Sequence, residues 1–497
     1  MLLIRKNRMS ARNGLDLRWS LIFLLMSGNL AAETADDTGA SQRAGMTILP
    51  TVALSGTWTD NITLTEVNPE SEFVTAIIPG VSLTDRTRRF SAVADYRMEG
   101  LFYARDSSRN ELYHKLEAAA QSELVEQWLY LDGDAFYTQH SITPDGRVGY
   151  DNIPVTDNRS DVWSLALSPY MRHEFGRDLA VRAGANFRKV AFKKGGLQDR
   201  TQEQWFLDVG NNPSAGQDLT WKVTYRRNEV KREILSDSTF ERALLDLRYA
   251  PTIKYQFYAQ GGREKNRFEV APGVKAPEGS LWFLGAVWRP GAFTMVDVAF
   301  GRRYFGNSRR FEIFHRGAHF GFSAKYAEEL TTVTQLLTRL DTERVQGSLQ
   351  ALGGEETGDV LSLSDYVLPS FSVTTYLGKR LEGTLFYEGA RTSLSLRLYD
   401  ARREFQKDAS KDEFTGYVLK ATRRIRPYTN AELRLDVASR SASTGLDSRF
   451  RRASLMARHR FMKNVDSSLG YIYEKRSGAA TTDYSMNMVF VSAVVAF

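Results

Sequence analysis

The chain has 497 residues, 66 of them basic and 59 acidic, with a formal net charge of +7, 42% hydrophobic content and no cysteine. Much of the basic excess sits in the first 32 residues, so the charge does not signal nucleic-acid binding, and the lack of thiols suits an exported protein that folds without disulfides. No later apolar run approaches the about 20 residues of a transmembrane helix, so a mature chain that enters a membrane must do so as a closed β-barrel.

The N-terminus sets Arg5, Lys6, Arg8, Arg12 and Arg18 before the apolar run Trp19–Leu30, with Ala31 and Ala32 after it. Basic, apolar and small residues in that order predict a secretory signal peptide over residues 1–32. Its removal takes away five basic residues and Asp16, lowering the formal charge from +7 to about +3. Residues 33–45 then form a short periplasmic segment, too short for a plug domain.

From residue 46 to 497 the pattern is period-2 alternation, the mark of strands with one apolar face. Phe90, Ala92, Ala94, Tyr96, Met98 and Phe102 share a face opposite Asp95, Arg97 and Glu99. Leu179, Val181, Ala183, Ala185 and Phe187 oppose Arg182, Asn186 and Arg188. Ile253, Tyr255, Phe257 and Ala259 oppose Lys254, Gln256 and Gln260, and Ala431, Leu433, Leu435 and Val437 oppose Glu432, Arg434 and Asp436. Many segments run about 12–16 residues, against about 5–6 for globular strands.

The connections give a second signal. Long gaps are expected at 140–157, 190–201, 229–238, 266–278, 400–412, 440–448 and 476–482. Between them fall tight turns at EFGRD (174–178), YAPT (249–252), RPGA (289–292), KRLEG (379–383), RPYTN (426–430) and MKNVD (462–466), and a moderately short link at 212–217. Short and long alternate as periplasmic turns and external loops do in outer-membrane barrels. The fold class is therefore all-β: a transmembrane antiparallel up-and-down barrel with both termini in the periplasm. Parity through the chain gives about 22 strands, any even number from 18 to 22 being compatible, with 327–367 the least defined stretch.

The chain ends in an uncharged apolar strand. Val489, Val491, Ala493, Val495 and Phe497 fall on one face, as a lipid-facing terminal strand requires, while Met488, Phe490 and Val494 put apolar groups on the other, where packed protein in the lumen would cover them. A last strand ending in Phe resembles the signal by which bacterial outer-membrane barrels are passed to their assembly machinery.

Residues 96–142 (YRMEGLFYARDSSRNELYHKLEAAAQSELVEQWLYLDGDAFYTQHSI), 322–340 (FSAKYAEELTTVTQLLTRL), 423–435 (RRIRPYTNAELRL) and the C-terminal strand together resemble a family of outer-membrane barrels associated with the PEP-CTERM/exosortase system and exopolysaccharide export loci. The resemblance spans most of the mature chain and rests on aromatic and turn positions. It implies a role in exopolysaccharide export or assembly, and carries over no functional residue.

No P-loop, dinucleotide fingerprint, HExxH or EF-hand loop is present. His315 and His319 have the spacing of a helical metal pair, but on a strand four residues span about 13 Å, too far for one ion. His140 and Ser141 are adjacent on a strand and point to opposite faces, against a nucleophile and its base. Glu355 and Glu356 lie in an ordinary acidic loop. No metal, cofactor or enzymatic activity is expected.

The charged residues opposite the apolar faces carry more information. In lipid at mid-depth an Arg or Lys costs about 2–4 kcal/mol, which assigns Asp95, Arg97, Glu99, Arg182, Arg188, Lys222, Arg226, Lys254, Gln256, Arg397, Glu432, Arg434 and Asp436 to the lumen. Such a wall suits a porin-like channel for hydrophilic solutes, with residues 341–366 either folding inward to narrow it or forming an external loop. The expected partners are outer-membrane lipid, the barrel assembly machinery, polysaccharide and periplasmic export proteins. A non-conducting docking barrel, an outer-membrane hydrolase and a secreted β-sandwich are the competing readings.

Overall fold

The computed structural model describes residues 45–142, 146–147, 149–176, 178–193, 199–211, 218–233, 236–273, 277–332, 375–443, 445, 447–478 and 483–497. The expected signal peptide, nearly all of the segment 33–45 and the 341–366 loop lie outside them.

The described residues form one antiparallel sheet of 22 strands. The first eleven are β1 (Thr47–Thr59), β2 (Glu72–Arg86), β3 (Phe90–Tyr103), β4 (Glu111–Val125), β5 (Leu129–Ser141), β6 (Arg159–Phe175), β7 (Leu179–Phe192), β8 (Arg200–Gly210), β9 (Leu219–Arg232), β10 (Ser238–Thr252) and β11 (Tyr255–Arg267). The second eleven are β12 (Glu278–Gly291), β13 (Thr294–Arg303), β14 (Gly306–Arg316), β15 (Phe320–Thr332), β16 (Thr375–Glu388), β17 (Thr392–Phe405), β18 (Lys411–Arg426), β19 (Thr429–Ala442), β20 (Ser448–Met462), β21 (Val465–Ser477) and β22 (Tyr484–Ala496). Each pairs with its neighbours in sequence, and β1 closes the sheet on β22 from Thr51↔Ala496 to Thr59↔Met488. Closure leaves no edge, so every strand satisfies its backbone within the wall. That excludes the β-sandwich.

The alternation holds around the wall. One face exposes Leu54, Trp205, Leu284, Phe300, Leu398 and Val491. The other buries Arg188, Glu264, Arg303, Arg434 and Glu474. Charged side chains become buried only where a closed sheet folds over them, so the polar face is the inner one. Five hairpins slip register beside a short turn, at Glu123/Val125, Tyr249/Thr252, Trp288/Gly291, Arg424/Arg426 and Arg460/Met462. Bulges concentrate at barrel rims because the extra residue sharpens the twist as the chain reverses.

Three expected connections change. Residues 379–383 are not a turn but lie inside β16, where Arg380 meets Glu382 at 3.0 Å, Lys379 reaches Glu404 on β17 at 2.9 Å and Leu381 faces outward. Charge density mimicked a turn there, and the chain reverses instead at 389–391. The turn expected at 249–252 forms at Ile253–Lys254. Short and long connections do not alternate throughout, because β13 and β14 are joined on the long-loop rim by Tyr304 and Phe305 alone.

Candidate lumen wall and constriction

All of the expected lumen residues except Lys254 sit on the inner face; Lys254 is exposed in the β10–β11 turn. Their environments differ. Arg188 meets Asp134 at 2.8 Å and Arg434 meets Asp436 at 3.0 Å, both pairs buried in the wall. The first ties β5 to β7 and the second lies along β19, and buried pairs of this kind offer little to a passing solute. Arg226, with 33% of its side chain exposed, bonds Asp208 at 2.8 Å. Arg397 lies 3.6 Å from Glu382, and Glu432 lies 3.4 Å from Lys420. Asp95 accepts from Ser82, Glu99 accepts from Asn152 at 2.7 Å, and Lys222 lies opposite Asp246 in register. Gln256 and Arg97 share the face.

Alternation also carries charges that the sequence reading passed over. Arg303 on β13 clasps Glu264 on β11 through two bonds of 3.1 and 2.7 Å, bridging the strand between them. Arg452 donates from Nε to Glu474 at 2.6 Å, and its Nη2 lies 2.5 Å from the same carboxylate. The period-2 signal was present at each of these residues, but their partners depend on register.

A run of arginines and rings crosses β5 to β9. The Arg172 guanidinium lies 4.9 Å from the Tyr130 ring, and Tyr130 stacks on Tyr170 at 5.2 Å. Arg182 lies 4.8 Å from Tyr170 and 5.0 Å from Phe206, and Arg226 lies 5.3 Å from Phe206. These distances are within the about 6 Å over which a cation is drawn to a ring face. A second patch sets Arg310 5.4 Å from Tyr258 and 5.2 Å from Phe283.

Two loops fold onto the inner wall at the long-loop end. In the β1–β2 loop, Ile62 and Leu64 are fully buried with Val74, Leu101, Ile472, Met486 and Met488, and Phe490 packs against the cluster. Met488 and Phe490 on the inner face of the last strand thus meet protein, whereas Val494, expected to be covered with them, is exposed because the cluster does not reach the short-turn end. Asn61 donates to Ser485 O at 2.9 Å, and Asp60 accepts from the Asn487 backbone and side chain at 2.7 Å each. The β5–β6 loop reaches farther. Val155 N donates to Ile62 O at 2.9 Å, and the Tyr103 hydroxyl donates to Ile153 O at 2.8 Å. The loop's Tyr150 ring lies 4.9 Å from Arg452 on β20, and Gly146 O accepts from Arg476 on β21. Burial and the neighbouring Glu99 carboxylate push the carboxyl of Asp151 in this loop up to about 7. At the same mouth, Ala271 N donates to Gln406 O at 2.8 Å and Lys407 meets Glu269 at 3.1 Å, joining the β11–β12 and β17–β18 loops.

The outer surface completes the picture. Phe175, Tyr249, Tyr255, Phe293, Tyr428 and Phe461 ring the short-turn rim, exposed. An apolar band ending in an aromatic girdle is what a bilayer selects. The chain is a bacterial outer-membrane barrel. Its short-turn rim, which carries both ends of the sheet, is the periplasmic one.

The solved structures agree on the fold. The chain is similar to the FrpB iron transporter of Neisseria meningitidis (F5-1 variant) in its apoprotein form, at 10% identity and a TM-score of 0.53 over 90% of this chain and 81% of that one. A further FrpB structure of the same variant aligns at 9% identity and a TM-score of 0.53, over 91% and 83%. The siderophore receptor PirA of Pseudomonas aeruginosa aligns at 9% identity and 0.49, over 92% and 81%. At such identities the likeness to FrpB speaks for the fold alone, and that to PirA carries no argument. No protein-family model and no curated protein matches the chain.

The remaining motifs stay apart. His315, on β14, bonds Thr294 at 2.8 Å, while His319 lies in the following turn and bonds Glu388 O at 3.0 Å. No group of three or more metal-ligating side chains occurs among the described residues. His140 is buried and Ser141 closes β5 beside it, opposite Ser160 and Arg159 respectively.

Proposed function

We propose that this barrel is a porin-like channel for hydrophilic solutes and that its cargo is extracellular polysaccharide leaving the cell. The observation that carries the reading is a closed wall of 22 strands lined by charged and aromatic groups. A wall of that size encloses more space than its own side chains fill. Its mixed polarity favours a hydrated cargo over an oily one. The sequence resemblance to barrels of PEP-CTERM/exosortase loci supports polysaccharide as the class. Assembly would use the apolar terminal strand and its outward Val489, Val491, Ala493, Val495 and Phe497, with periplasmic export proteins meeting the short-turn rim. The reading assigns no catalytic step and no cofactor.

The inward β1–β2 and β5–β6 loops favour a second reading, a barrel blocked within that serves as a docking platform. Single-channel conductance of the refolded, leader-free protein in a planar bilayer separates the two. Discrete steps blocked by added polysaccharide support the channel. A folded barrel, shown by heat-dependent gel mobility, that passes no current overturns it in favour of docking.

A further inference from the structure

We propose that the arginine–aromatic run on the inner faces of β5 to β9 is a binding track for acidic saccharides, sugars bearing carboxylates. This inference rests on the channel reading and names the cargo class within it.

The track has the two chemistries such a ligand needs. A pyranose ring presents C–H groups on its faces, which pack on aromatic rings, and Tyr170 and Phe206 lie to either side of Arg182. The carboxylate lies at the edge of the sugar, where a planar guanidinium donates two parallel bonds. Adjacent strands are about 4.8 Å apart, so successive rings and guanidinium groups recur at about the length of one sugar unit. Five side chains of the run lie toward the short-turn ends of their strands, away from the inward loops, and Arg226 lies at the middle of β9.

Charge decides for an acidic ligand over a neutral one. Arg172 lies directly opposite Arg182, and Arg226 directly opposite Arg242. Like charges in such cross-strand pairs repel. The acids nearby are Asp132, which feels Arg182 and Arg172, and Asp208, which bonds Arg226. Arg242 sits 3.7 Å from Glu264, whose own closer partner is Arg303 at 2.7 Å. The buried Nε of Arg182 has no hydrogen-bond partner among the described residues. An anion seated between the paired arginines relieves the repulsion that the wall leaves in place.

The test is calorimetric titration of the whole detergent-solubilised barrel with trigalacturonate, with maltotriose as a neutral sugar of equal length, and with inorganic phosphate as an anion without a sugar face. The expected order is trigalacturonate tighter than either control by about tenfold or more. Arg182→Gln should lower that affinity by about tenfold, Arg182→Lys should recover part of it, and Phe206→Ala should weaken trigalacturonate while leaving phosphate unchanged. Equal binding of maltotriose overturns the role of charge, and equal binding of phosphate overturns the role of the rings. The comparison of ligands on the unaltered barrel stands even where a variant fails to fold. Binding with no bilayer conductance overturns the channel reading alone; conductance with no binding overturns this inference alone.

Discussion

Replacing Ile153 with alanine tests whether the β5–β6 loop is held against the wall by apolar packing. Ile153 is 5% exposed, clustered with Ile62, Leu64 and Tyr103, and its carbonyl accepts from the Tyr103 hydroxyl. The substitution deletes three carbon groups worth about 0.8 kcal/mol each, to which a cavity term adds, for about 2–5 kcal/mol. Taken on the loop alone, the lower part of that range raises the unseated population by about 50-fold. Arg147 lies within the loop. Where reclosing is faster than cutting, tryptic cleavage after Arg147 follows that population. The rate, read by mass spectrometry on the folded barrel in vesicles, should therefore rise by about 50-fold or more, while Ile48→Ala on the exposed β1 face leaves it unchanged. An unaltered rate in Ile153→Ala would refute loop seating by this cluster.

Asp151 makes the same seating pH-dependent. In the seated loop burial and the Glu99 carboxylate push its carboxyl up to about 7, above the ordinary carboxylate range, so the seated form holds a proton that the released loop gives up. Seating should be firmest in acid, weaken as pH rises to about 7 and then level off. Hydrogen exchange of the loop, corrected for intrinsic rates, should show this in the native protein and a flatter profile in Asp151→Asn; matching profiles would count against it. In the wall, Arg303→Met alone should cost about 3–5 kcal/mol by stranding the buried Glu264, and Arg303→Met with Glu264→Leu should restore most of it. Urea unfolding from vesicles measures both, and additive losses would remove the pairing. Leu284→Arg on the exposed face of β12 should cost about 2–4 kcal/mol in the same assay, and a neutral result would place that face away from lipid.

Much of the wall was legible because a strand's side chains alternate whatever the strand pairs with. The faces of Arg182, Arg397 and Asp436 could be read locally for that reason. Lys254 was misplaced because alternation continues through a tight turn, and 379–383 looked like a turn because paired inner charges resemble exposed ones. His315 and His319 were separable in advance because strand rise alone keeps them apart.

By itself, then, the sequence determined the all-β class, the closed transmembrane form, the apolar outer face and the periplasmic placing of both ends. Each follows from periods of two residues or from the rhythm of connections. Tertiary structure alone decided which inner charges are buried braces and which border the lumen, since Arg303 finds Glu264 only through the registers of two hairpins. It also decided which loops turn inward. The bond from Arg476 to Gly146 spans 330 residues and that from Asn487 to Asp60 spans 427. No local pattern encodes such contacts, because they form only once β1 meets β22 and the wall closes around them.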